Sequence, residues 1–153
     1  MARSTIRIAT IEDVVHVALN IRNADRNEIW ASDKQTPLSC LISAYNRSDE
    51  CRAFVVDGKV ACIFGVVPIS LLGGIGSPWM IGTDLIYSNK REFLRKSQNA
   101  VLDVCKSYAT LINYVDKRNT LSIRWLKWGG VSLYEAHPCG PFGLPFHRFE
   151  LRK

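Results

Sequence analysis

A carboxylate set among apolar residues is the first feature of this chain that chemistry has to account for. Asp84 stands between Thr83 and Leu85 in a segment, 79–86, that reads as a strand of a buried sheet. A charge buried there needs partners. Asp84 is therefore a base or ligand-binding group, or half of an ion pair with an arginine, or a residue turned outward on the outer face. The other reactive side chains form no constellation. His16, His137 and His147 lie far apart without metal-ligand spacing and read as surface or hydrogen-bonded polar residues. Cys40, Cys51, Cys62, Cys105 and Cys139 are odd in number and contain no C-x-x-C pair. They indicate neither a zinc site nor a disulfide framework, and suit small buried hydrophobes in a reducing compartment. The run Gly73-Gly74-Ile75-Gly76 lacks the lysine and hydroxyl residue of a P-loop and opens no helix, so it reads as a plain connection. Of the tryptophans, Trp125 and Trp128 are three apart and share one side of a predicted helix. Core packing accounts for one of them, and an apolar contact surface for a partner protein accounts for the other.

These residues must be held by one domain, 1–153: the chain has 153 residues, 47% hydrophobic and 22% charged, which suits a single core. The net charge of +6 is spread along the chain and not gathered into a block, so it implies a mildly basic surface. Nucleic-acid binding is the weaker alternative, and would show as an affinity that falls steeply with salt. Residues 1–10 carry two arginines but no apolar leader segment, and no run of about 18 apolar residues occurs. A membrane span is not expected, and the protein is expected inside a cell or inside a particle assembled in one.

The pattern of residues predicts the elements in order. Residues 4–9 alternate as a half-buried strand, and Thr10, followed by Glu12 and Asp13, caps a helix. Further helices are expected over 24–30 and 37–47, the latter with Pro37 at a first helical position. Apolar runs 52–56 and 59–67 flank Asp57-Gly58, a hairpin signal. A loop over 70–78, a strand over 79–86 and a long helix over 91–108 capped by Ser88 or Asn89 follow. A strand at 111–115, a helix at 119–128 ending at Gly129-Gly130, and strands at 131–135 and 146–151 complete the chain. This order predicts an α/β domain (α+β, mixed sheet), mostly antiparallel, with helices on both faces.

The same order, and the stretch 111–134 in particular, resembles the GNAT acetyltransferases, with Asn119, Ser122, Ile123, Gly130 and Val131 on the matching positions and valine in place of the usual phenylalanine. Segments 78–86, 93–97, NYVDKRN and WLKWGG further resemble a family of short bacteriophage proteins related to the small internal virion protein of podophages. That resemblance covers about 53–151. It implies an acetyltransferase-like fold, a role in virion assembly or as an internal virion protein, phage structural or internal virion proteins as partners, and a place in the cytoplasm of the infected bacterial host or in the virion.

In active GNAT enzymes, the strand bordering the acyl-CoA cleft leads into a glycine-rich loop whose N–H groups bind the acetyl-CoA pyrophosphate at a helix N-terminus. The corresponding residues here, 87–95, contain no glycine. Ser88, Asn89, Lys90, Arg91 and Arg95 make a degenerate pyrophosphate site or a capped, solvated basic turn. The tyrosine that protonates the leaving thiolate in many of these enzymes is replaced by Leu126, which has no proton to give. Asp84 and Asn119 remain as catalytic candidates, and Trp125 and Trp128 as partner-binding ones. The resemblance thus implies a scaffold without ordinary acetyl-CoA chemistry and with no cofactor. The alternative is a working acetyl-CoA-dependent N-acetyltransferase acting on a protein amine or a small molecule.

Overall fold

The computed structural model describes residues 3–153. Strand β1 (Ser4–Ile8) leads to Thr10, whose hydroxyl accepts the Asp13 N–H at 3.3 Å while the Asp13 carboxylate accepts the Thr10 N–H at 2.8 Å. This reciprocal cap starts α1 (Ile11–Leu19), and Arg7 ties the same carboxylate back to β1 at 2.6 Å. Helices α2 (Asn23–Asp33) and α3 (Pro37–Arg47) follow, the latter opened by the Thr36 hydroxyl and Pro37. The hairpin of β2 (Cys51–Val56) and β3 (Lys59–Ser70) turns at Asp57 and Gly58, both at positive φ, as a two-residue turn between twisted strands requires.

Two expectations fail in the next stretch. Residues 70–78 are not a loop, because β3 continues to Ser70 and a tight turn at 71–74 returns it into β4 (Ile75–Gly82). The strand therefore ends before Thr83, and Asp84 is not in it. Thr83 instead accepts the Leu85 N–H and begins a 3-10 turn, Asp84–Asn89, that runs straight into α4 (Lys90–Val104). The expected end of that helix at 108 also recedes: the chain leaves it at Cys105, and Tyr108 is buried beneath. Strand β5 (Thr110–Asp116), helix α5 (Thr120–Trp128), and the hairpin of β6 (Ser132–Cys139) and β7 (Leu144–Arg152) complete the chain.

The strands form one seven-stranded mixed sheet in the order β1-β2-β3-β4-β5-β7-β6, antiparallel except for the parallel pair β4 and β5. One core cluster joins α1, α2 and α3 to one face of the sheet through Val14, Val17, Ile29, Leu41 and Ile63. Another joins α4 to the opposite face through Phe54, Phe64 and Phe93, and a smaller one sets Leu126 of α5 against Val115 and Phe149. The expected arrangement of helices on both faces is present. Among the described residues no helix is long and apolar enough to cross a membrane.

Strands β4 and β5 pair only through Ile75 with Thr110 and Gly76 with Leu111, and then diverge. Pro78, two residues on, has no N–H with which to continue a ladder. In place of one, the Asn113 side-chain amide donates across the widening gap to the Pro78 carbonyl at 2.8 Å.

Candidate functional site

The gap between the diverging strands holds a cavity of about 450 Å³ that passes from one face of the sheet to the other. Pro78 to Ile81 and Asn113 to Val115 form its sides, Glu28, Ser32 and Cys40 of α2 and α3 line one end, and Ser122, Trp125 and Leu126 of α5 line the other. Most of this lining is apolar. Glu28 is its only ionisable carboxyl group.

Glu28 is half-buried, and its Oε1 accepts the Asp116 backbone N–H at 2.6 Å. Burial pushes its carboxyl up to about 8, and the neighbouring Asp25 and Asp116 carboxylates push the same way. The Asp116 N–H and the Asn119 amide oppose the rise by favouring the charged form.

Behind Glu28 lies a polar network in which Arg22, Asp25, Asn119 and Ser122 are buried. Arg22, at the start of α2, makes a two-pronged pair with Asp25 at 2.6 and 2.9 Å, and the other Asp25 contacts are the Gly82 N–H at 2.8 Å and the Asn119 amide at 3.1 Å. Arg22 also donates to the Asn119 carbonyl oxygen at 2.9 Å, to Ser122 at 3.3 Å and to the Tyr87 hydroxyl at 3.3 Å. Arg22 and Asp25 together thus join the start of α2, the end of β4, the 3-10 turn and the first turn of α5. Among the described residues no buried side-chain nitrogen or oxygen lacks a partner, which is what makes so polar a centre tolerable. Asp116 is likewise paired, with Arg118 at 2.7 Å.

The residues singled out from sequence are distributed unevenly around this centre. Asn119 is in the network and 1% exposed, with its amide occupied by Arg22 and Asp25. Asp84 is exposed, is not among the side chains lining the cavity, and sits as the acidic residue of a first helical turn, where the helix dipole favours a carboxylate. Its expected place in a strand is thereby corrected, while exposure is one of the positions its surroundings left open. Ser88 and Asn89 do not cap α4: both side chains donate to the Leu85 carbonyl of their own turn. The first turn of α4 is preceded by more helix and not by an open loop, so backbone N–H groups do not form a glycine-type cradle there. Arg91 is exposed, and Arg95 is paired with Glu92.

Lys90 has a different setting. With Arg124 of α5 it flanks a smaller hollow of about 160 Å³, floored by Met80, Phe93 and Trp125, and Met80 and Trp125 also line the main cavity. Trp125 packs on Phe93 with ring centroids 5.7 Å apart, whereas Trp128 remains 47% exposed. The sequence reading missed Glu28, Arg22 and Asp25. The spacing of Arg22 and Asp25, three apart at a helix start, is the one local signal that pointed there. Among the described residues no group of three or more His, Cys, Asp or Glu is placed to hold a metal ion.

No protein-family model matches the chain, and no curated protein matches it by sequence. Its fold, however, recurs among solved structures. YncA from Salmonella typhimurium, solved with its cofactor acetyl-CoA, superposes with a TM-score of 0.73 at 14% identity, over 98% of this chain and 94% of that one. Ard1 from Thermoplasma volcanium gives 0.74 at 17% identity over 97% of each chain. Spermidine N-acetyltransferase from Vibrio cholerae, solved with CoA and spermine, gives 0.68 at 14% identity over 97% of this chain and 95% of that one. The fold is that of the GNAT acetyltransferases, as the order of elements implied. These likenesses lend nothing to a virion role.

Proposed function

We propose that the chain is an acyl-CoA-dependent N-acyltransferase that acylates an amine of a protein or a small molecule. The observation that carries this reading is the place of Glu28: a carboxyl group with a raised proton affinity at one end of a cavity that runs through the sheet. A fold shared with enzymes solved with acetyl-CoA or CoA supports the reading, although fold alone does not assign a reaction.

Bound acyl-CoA would supply an acyl thioester. Met80 and Trp125, shared by the two hollows, offer an apolar path from the helix side towards Glu28, and Lys90 and Arg124 would hold the phosphates at its outer end. Side-chain cations would thus do what a glycine loop does elsewhere. An amine entering from the α2 and α3 side arrives as an ammonium ion. Glu28 takes its proton, and a base whose carboxyl sits near about 8 is matched to that task close to neutral pH. Asn119 does not touch this path; it is a positioning residue that holds Asp25 and lies against Glu28. Leu126 at the position of the usual tyrosine leaves the departing thiolate to be protonated from solvent.

Calorimetric titration with acetyl-CoA and with CoA tests the reading. Micromolar binding is expected, weakened about tenfold or more when Lys90→Glu and Arg124→Glu are combined. No binding up to millimolar ligand overturns it.

A further inference from the structure

A second groove lies on the same side of the sheet as α4 and α5, between the later turns of those helices and the end of β7. It has about 160 Å³ of space and shares Pro78, Trp125, Leu126 and Phe149 with the cavity that holds Glu28. Its own walls are Val101, Leu102, Val131 and Leu151, and Trp128 stands at its rim. Ser97 and Gln98 are polar, and no charged side chain lines it. Leu102 is 56% exposed and Trp128 47%, so apolar surface is left open to water beside a cavity that already reaches the sheet's interior.

Resting on the acyltransferase reading, we infer that this groove receives the hydrocarbon chain of an acyl donor longer than acetyl, a linear acyl group of about six carbons. An acetyl group ends one methyl beyond the thioester carbon and would leave the groove empty. An apolar cavity of about 150 Å³ takes a benzene ring, whose bulk is that of about four saturated carbons, so the available volume matches the part of a hexanoyl chain beyond its first two carbons. The four shared residues border both hollows, so a chain leaving the Glu28 cavity on this side passes along them. Trp125, packed on Phe93, is the largest of them and sets the path between the two hollows. Trp128 then covers the far end of the chain, a use for its exposed indole that needs no partner protein.

The experiment is calorimetry on the full chain with CoA, acetyl-CoA, butyryl-CoA, hexanoyl-CoA and octanoyl-CoA. Acetyl-CoA should bind about as CoA does, after which affinity should rise about fourfold per methylene to about six carbons and then level off. Val101→Phe, which fills the groove, should flatten the series while leaving CoA binding unchanged, and a thermal melt checks its fold. Leu102→Asp, at an exposed position, should flatten it by placing a charge at the rim, and serves if Val101→Phe does not fold. CoA binding with no gain from chain length, or a gain that both variants leave intact, overturns the groove's assignment and leaves the acyltransferase reading standing. Failure of every CoA compound to bind overturns that reading, and this inference with it.

Discussion

The proton on Glu28 couples folding to pH in a direction that can be worked out. Burial raises the folded-state value to about 8 from the ordinary 4.5, so between these values the native state keeps a proton that the unfolded chain has released. The unfolding free energy therefore falls as pH rises through this window, and the loss is complete above about 8. Glu28→Gln cannot ionise. Its melting temperature should gain on the wild type steadily from pH 5 to about 8, and parallel pH profiles for the two proteins would sink the assignment. The same group predicts that turnover rises through an ionisation near about 8 and is lost in Glu28→Gln. At this scale the sequence was a poor guide. Asp84 drew attention because a strand was expected around it, whereas Thr83-Asp84 is a hydroxyl cap followed by a first-turn acid. Glu28 drew none, because what makes it unusual is burial beside a cavity whose other walls, among them Trp79, Asn113 and Phe146, come from far along the chain.

Elements meet at two places where a single substitution should be felt. Arg22 binds the start of α2 to β4 and α5, so Arg22→Met strands the buried Asp25 carboxylate and should cost about 3–5 kcal/mol in denaturant unfolding. Adding Asp25→Asn should return part of that loss; a double variant no more stable than the single one would show that the ion pair is not what holds the junction. Gly140, in the turn between β6 and β7, lies on the last turns of α2 with φ +74, and an added Cβ would stand 2.2 Å from the Ala31 carbonyl oxygen. Because that neighbour is backbone, Gly140→Ala should cost about 3 kcal/mol or displace the turn from the cavity's edge, measurable as a lower melting temperature and a weaker acceptor KM. Elements with local signals were legible: the Thr10 and Asp13 cap, Pro37, and Asp57-Gly58 fall where the residues require. The errors lie where glycine was read as slack. Gly73 and Gly74 make a tight turn within a continuous hairpin, which moves β4 towards the N-terminus and frees Thr83 to begin a helix.

For the molecule as a whole, the order of strands and helices was enough to foresee a mixed sheet with helices on both faces, because short connections leave few ways to bury these apolar stripes. What order could not convey is where two neighbouring strands part company, and that parting makes the cavity. The net charge of +6 is spread over the surface, but Lys90 and Arg124 converge at one hollow through folding alone. The divergence of β4 and β5 also has a mechanical meaning. Two ladder positions at one end join the β1–β4 half of the sheet to the β5–β7 half, like the spine of a book whose pages are free at the other edge. Rotation about that spine would widen the space beside Glu28 while both ladder positions stay paired. A ligand wedged between the halves would work instead against the contacts that span them: Asn113 to the Pro78 carbonyl, the Asp116 N–H to Glu28, and Arg22 to Asn119.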